Sequence, residues 1–185
     1  MSHRIHLPTP EGRIAVAFAF RIDRFCHRVD WVSEKTVLPL LSSAEGDDQQ
    51  PWPTSPPIQQ LDQLQERDRV VLLGLGMAGQ SHWSISVSVD GASSRLVWDV
   101  ACRIQGTPDW LGSTYRLWCA VDQEQDDTLA FALPDATCRL CAADSPPGRC
   151  CMERQAEWVM LIPDEPPQAS RFVATYRWRY YLQVE

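Results

Sequence analysis

The sequence predicts an all-β fold with minor α content: an antiparallel β-barrel or a strongly curled β-sandwich of about nine strands with one short helix. Three observations lead there. Apolar residues recur at every second position from near the amino end to the carboxyl end, which is strand period. Short turn-like segments join these runs, with none of the strand–helix rhythm of a parallel sheet. The last run, 172–184, extends roughly 45 Å at about 3.3 Å per residue, against ~20 Å for an ordinary strand, so it must coil or pass between sheets.

The elements follow in order. Ile14, Val16, Phe18, Phe20 and Ile22 alternate with small or polar residues, and the apolar phase then moves to Phe25, His27, Val29 and Trp31. A change of phase needs a turn or a bulge. Either Asp23-Arg24 is a two-residue turn that sets Ile22 against Phe25 and Phe20 against His27, or one long strand is bulged. Lys35 to Leu41 is a short structured piece. Residues 42–57, rich in Ser, Asp, Gln and Pro, read as an exposed, mobile loop. Ile58, Leu61 and Leu64 recur at spacing three, which predicts the short helix, capping an open end of the β structure.

Val70 to Gly76 is a continuous apolar strand that predicts either burial on both faces or glycine-aided bending. Trp83, Ile85, Val87 and Val89 lead through Asp90-Gly91 into Leu96, Trp98, Val100, Cys102 and Ile104, which is a β-hairpin. Three more runs follow: Tyr115 to Val121, Leu129 to Leu133, and Trp158 to Ile162. Residues 134–154 read as a cysteine-bearing loop. Phe172 to Val184 forms the last strand. All of 1–185 reads as one domain without internal repeats.

Gly74, Gly76 and Gly79 spell G-x-G-x-x-G after an apolar strand, and Asp99 stands where a ribose-binding acid is wanted. That fingerprint requires a following helix to receive the pyrophosphate. The alternation from His82 to Val89 excludes a helix there, so no nucleotide cofactor is expected.

A net charge of −7, with Lys35 the only lysine, disfavours nucleic acid as a partner. No run is long and apolar enough for a transmembrane helix or a secretory leader, so no membrane partner is expected. The chain has no asparagine and hence no glycosylation sequon, and its seven cysteines cannot all pair internally. These features point to a reducing cytoplasm.

Two residue sets are candidate sites. Cys138, Cys141, Cys150 and Cys151 bring four thiols into fourteen residues, a set that could supply a tetrahedral structural zinc. Trp83, Trp98, Tyr176 and Trp178, with Phe18, Phe20, Trp31 and Tyr180, mark the apolar faces of several strands. In a wide barrel they line a cavity for an apolar ligand; in a packed sandwich they fill the core. Arg177, Arg179, Arg171 and Tyr181 share the opposite face of the last strand, an anion-binding face if it lines a cavity and a solvated one otherwise.

The histidines are scattered. His27 falls on an apolar face and His82 on a polar one, and neither H-E-x-x-H nor G-x-S-x-G occurs. The function expected is a non-catalytic binding domain for a small apolar or amphipathic ligand, or for a protein partner on an exposed sheet edge. A zinc-stabilised interaction module is the alternative. An enzyme whose site is assembled only in space is a third reading. Oligomeric state is not readable from the sequence.

Overall fold

The computed structural model describes residues 2–66, 69–144, 148–165 and 173–185. Arg171 and Phe172 lie outside the described residues. Two antiparallel sheets form. Sheet A has the order β1 (Ser2–Pro8), β2 (Arg13–Arg21), β3 (Arg24–Val32), β4 (Val37–Ser43), β9 (Ser113–Leu117), β14 (Trp158–Pro163), β13 (Cys150–Gln155). Sheet B has the order β10 (Gln123–Gln125), β11 (Thr128–Ala132), β12 (Thr137–Ala142), β15 (Val173–Val184), β8 (Arg95–Gln105), β7 (Ser81–Asp90), β6 (Arg69–Ala78), β5 (Gln60–Glu66).

The all-β class is therefore right, but among the described residues fifteen strands replace the nine expected. Among the described residues there is no helix, and no closed barrel forms. Nor is any helix there long and apolar enough to cross a membrane. The expected helix around Ile58, Leu61 and Leu64 is instead β5, paired in register from Gln60↔Leu75 to Glu66↔Arg69. Spacing three misled because the apolar residues face different ways: Ile58 and Leu61 are buried while Leu64 is half exposed. Tertiary pairing decided the conformation, as it must for so short a run.

The cysteine-bearing stretch holds strands β12 and β13. The connection after β4 packs down over its second half, where Pro53, Ser55, Pro56, Pro57 and Ile58 are buried. The first hairpin closes one step earlier than the sequence suggested. Phe20 pairs with Phe25 and Phe18 with His27, so the turn residues are Ile22 and Asp23. Ile22 takes φ 62° at the first turn position, where a II′ turn favours glycine. A slip of two residues keeps the paired side chains on their predicted faces, but Ile22, expected against Phe25, is 99% exposed in the turn.

One core lies between the sheets. Ile5, Ile14, Phe18, Trp31, Tyr115 and Leu161 from sheet A belong to the same buried cluster as Leu72, Trp98, Val100, Phe131, Leu140 and Trp178 from sheet B. Hydrogen bonds cross the core between the two layers. The Trp178 indole Nε1 donates to Ser113 Oγ at 3.0 Å, and the Tyr115 and Tyr180 hydroxyls meet at 2.6 Å.

At one corner a backbone crossing joins the two sheets. Phe25 N donates to the Ile58 carbonyl at 2.6 Å, and Gln59 N donates to the Leu75 carbonyl at 2.8 Å. The Gln59 side chain bridges the Met77 backbone, accepting from its N–H at 3.0 Å and donating to its carbonyl at 3.2 Å. This crossing accounts for the first two glycines of the G-x-G-x-x-G motif, and the third, Gly79, takes φ 56° in the turn before β7. A Cβ on Gly76 would stand 1.5 Å from the Pro57 carbonyl oxygen, and one on Gly74 would stand 2.6 Å from Ile85 Cγ2. After Gly79 the chain enters β7, not a helix.

Candidate functional site

The four aromatic residues expected to line a ligand cavity are in the packed interior. Trp83, Trp98, Tyr176 and Trp178 are between 0% and 6% exposed. Trp98 stacks on Tyr180 with centroids 5.4 Å apart, and Trp83 meets Trp178 edge-on at 6.0 Å. These rings fill space between the layers. The indole nitrogens of Trp83 and Trp98 are buried without an acceptor, a cost of roughly 1–3 kcal/mol each that large aromatic burial offsets.

The four thiols do not converge. Side chains alternate along a strand, so on β12 Cys138 points into the core while Cys141 shares the outer face with Arg139. On β13 Cys150 is buried, and its neighbour Cys151 instead donates its thiol to Asp164 Oδ1 at 3.0 Å. No group of three or more His, Cys, Asp or Glu side chains among the described residues could hold a metal ion. Burial pushes the Cys138 and Cys150 thiols well up, and the bond to Asp164 together with burial raises Cys151 to about 11.

A polar chain crosses the core from His27. His27 Nε2 lies 2.8 Å from the Tyr115 hydroxyl, which continues to Tyr180. Burial drives the His27 pKa down to about 3 and both phenols well up. All three side chains are buried, so the chain offers no proton to a bound molecule. It is a brace between layers.

Beside it lies Glu45. Ser43 Oγ accepts from the His27 N–H at 2.9 Å and donates to the Glu45 carboxylate, whose other oxygen is buried without a partner. Burial raises the Glu45 pKa from 4.5 to about 7, against the opposing pull of Ser43 and Arg24. Between those values the folded chain keeps a proton that the unfolded chain releases. The Glu45 contribution to stability therefore falls as pH rises through that window. Glu45→Gln should match the parent at pH 4 and exceed it at pH 8 by about 1–2 kcal/mol in urea unfolding. Equal stabilities at both pH values would contradict this assignment.

The exposed chemistry gathers on the outer face of sheet B. Alternation on β6 turns Leu72 inward and Leu73, Leu75 and Met77 outward. Register then aligns rows across four strands. Met77 pairs with His82, His82 with Arg103, and Arg103 with Thr175. The next row runs Leu75, Ser84, Ala101, Arg177, and the one after it Leu73, Ser86, Asp99, Arg179. An apolar stripe thus gives way to a serine stripe and then to a charged one.

The charged stripe is partly neutralised from within. Asp99 accepts from Arg177 Nε at 2.6 Å and from Arg179 Nη2 at 2.6 Å. Partial burial raises its pKa, but these hydrogen bonds outweigh that and hold it below the ordinary carboxylate value. Arg103 makes no ion pair of this kind among the described residues. It borders an open depression of about 480 Å³, together with Gln59, Leu75, Met77, His82 and Thr175. Leu75 and Met77 are 52% and 46% exposed, unusual for neighbouring large apolar residues on one strand face.

Of the predicted site residues, the arginine face of β15 does point outward at Arg177 and Arg179, and His82 lies on a polar face as expected. Arg103, Leu75 and Met77 were not singled out. The signal for them was present: a continuous apolar run on a strand must send half its side chains to each face, and nothing in the sequence covers the outer one. No protein-family model matches the chain, and no curated protein or solved structure matches it.

Proposed function

We propose that the chain is a cytoplasmic, non-catalytic binding domain: a curled β-sandwich that holds a small amphipathic anion on the outer face of sheet B. The observation that carries this reading is the row Met77–His82–Arg103–Thr175. An apolar wall of Leu75 and Met77 faces a cation, two strands or about 10 Å away. A carboxylate on Arg103 and Thr175 leaves an alkyl tail lying over His82 toward Met77. Such a site gives orientation through one charged contact and affinity through apolar area.

The sealed His27–Tyr115–Tyr180 chain supports a non-catalytic role. All seven cysteines are free thiols, which supports a reducing compartment.

Isothermal titration with dodecanoate should reveal one site of roughly millimolar affinity, the range expected near ~0.3 kcal/mol per heavy atom. Arg103→Gln should weaken it roughly five- to tenfold. Dodecyltrimethylammonium, with a comparable tail and the opposite head charge, should bind no better to the parent than dodecanoate does to the variant. Equal binding of both heads, or indifference to Arg103→Gln, would contradict the proposal.

A further inference from the structure

Four strands end the two sheets: β1 and β13 in sheet A, β10 and β5 in sheet B. An uncovered edge exposes a row of backbone donors and acceptors ready to pair with another chain, so proteins guard such edges. Three of these four are guarded. β1 carries Arg4 and ends on Pro8. β10 is only three residues long. β13 is tied across to sheet B, with Met152 N donating to Asp127 Oδ1 at 2.7 Å and Arg154 paired with Glu124 at 2.7 Å.

β5 is the least guarded: its only charges are Asp62 and Glu66. It runs seven residues, Gln60–Glu66, without proline, lysine or arginine, and its register with β6 is unbroken by a bulge. Among the described residues it pairs only with β6. Beyond Leu61 it leaves the core: Asp62, Gln63 and Leu64 are all exposed. The apolar row of Leu73, Leu75 and Met77 lies on the adjoining strand.

We propose that β5 is a homodimer edge, at which two copies pair antiparallel across a two-fold axis passing through Gln63. The partner is a second copy because this register brings two identical amides together at the axis and sets no carboxylate of β5 directly opposite another. Centring on Gln63 places Asp62 of one copy opposite Leu64 of the other, and Leu61 opposite Gln65. The two Gln63 amides meet at the axis, where each can donate to and accept from the other. Centring one residue earlier sets the two Asp62 carboxylates face to face, which disfavours that register. A two-fold pairing of this kind closes on itself and leaves no further β5 edge to propagate. It also joins the two copies of sheet B into one sheet, with both outer faces on the same side.

Sedimentation velocity of the intact chain over about 2–200 µM tests this. The parent should pass from monomer to dimer with rising concentration. Gln63→Lys and Gln63→Glu each place like charges across the axis and should weaken dimerisation about tenfold or more. An equimolar mixture of the two variants should recover the parental dimer, because unlike charges then meet. Gln63 is exposed, so both variants should keep the parental melting temperature, and the mixture reports pairing independently of either variant's own stability. A parent that stays monomeric over the whole range would overturn the proposal. So would a dimer indifferent to both substitutions, or a mixture that stays monomeric. None of these outcomes depends on dodecanoate binding at Arg103.

Discussion

Gly76→Ala is expected to leave the chain unable to fold stably at room temperature, a loss of about 4 kcal/mol or more. The added Cβ would fall 1.5 Å from the Pro57 carbonyl oxygen and 2.7 Å from its carbon. Overpacking against a side chain typically costs about 1–3 kcal/mol because the side chain can turn away. Here the obstacle is backbone, held on both sides. The Ile58 carbonyl accepts from Phe25 N, and Gln59 N donates to the Leu75 carbonyl. The Gln59 side chain adds two more hydrogen bonds to Met77. Moving the crossing far enough to admit a methyl group breaks several of these at once, which places the change among the rare large effects. The control is Gly91→Ala, where no atom lies within 4 Å of the added Cβ; it should change stability by less than about 0.5 kcal/mol. Urea unfolding of both variants decides the matter. A Gly76→Ala protein within about 1 kcal/mol of the parent would refute the packing account of the glycine motif.

Trp178→Ala is expected to cost about 3–5 kcal/mol, the range for deleting a large buried aromatic. Trp178 is fully buried on β15, edge-on to Trp83, and its indole N–H reaches across to Ser113 Oγ of β9. The substitution removes apolar burial from both layers and one of the hydrogen bonds between them. Trp178→Phe keeps most of the ring and loses the donor, so it should cost less, about 1–2 kcal/mol. The order of the two variants in urea unfolding is as informative as their size. Were alanine and phenylalanine equally tolerated, the two layers would not be held together here.

The fold class was legible because sheet strands announce themselves when one face is buried. β2, β3, β7, β8 and β15 each alternate apolar with polar or small residues, and the side chains placed on an apolar face there are in the core or at its rim, except Phe20 near the β2–β3 turn, which is 52% exposed. The missed strands lack that contrast. β5 buries one leucine among glutamines. β1 has only Ile5 and Leu7 turned inward, with Arg4 before them and His6 between them. β4 carries its adjacent leucines Leu40 and Leu41 both buried, opposite a register shift at Val29 and Asp30. β12 alternates Cys138, Leu140 and Ala142 inward, but its thiols suggested ligands before they suggested a core.

The site was less legible than the fold. Sequence spacing treats four nearby cysteines as neighbours, whereas a strand sends residues three apart to opposite faces. The row Met77–His82–Arg103–Thr175 spans two hairpin turns and the six strands between β8 and β15, and a register error of one residue on any strand would have dispersed it. The continuous run from Val70 to Gly76 suggested burial on both faces or a glycine-aided bend. Half of it lies uncovered, and that uncovered half forms the apolar wall of the depression.

The most direct test of binding on the outer face, rather than between the layers, is a nitrogen–proton NMR titration of the chain with dodecanoate. The account predicts saturable shifts of the backbone amides of Met77, His82, Arg103 and Thr175, with the indole signals of Trp98 and Trp178 unmoved. Shifts concentrated on those two indoles, with the Arg103 row silent, would place the ligand in the interior and contradict it.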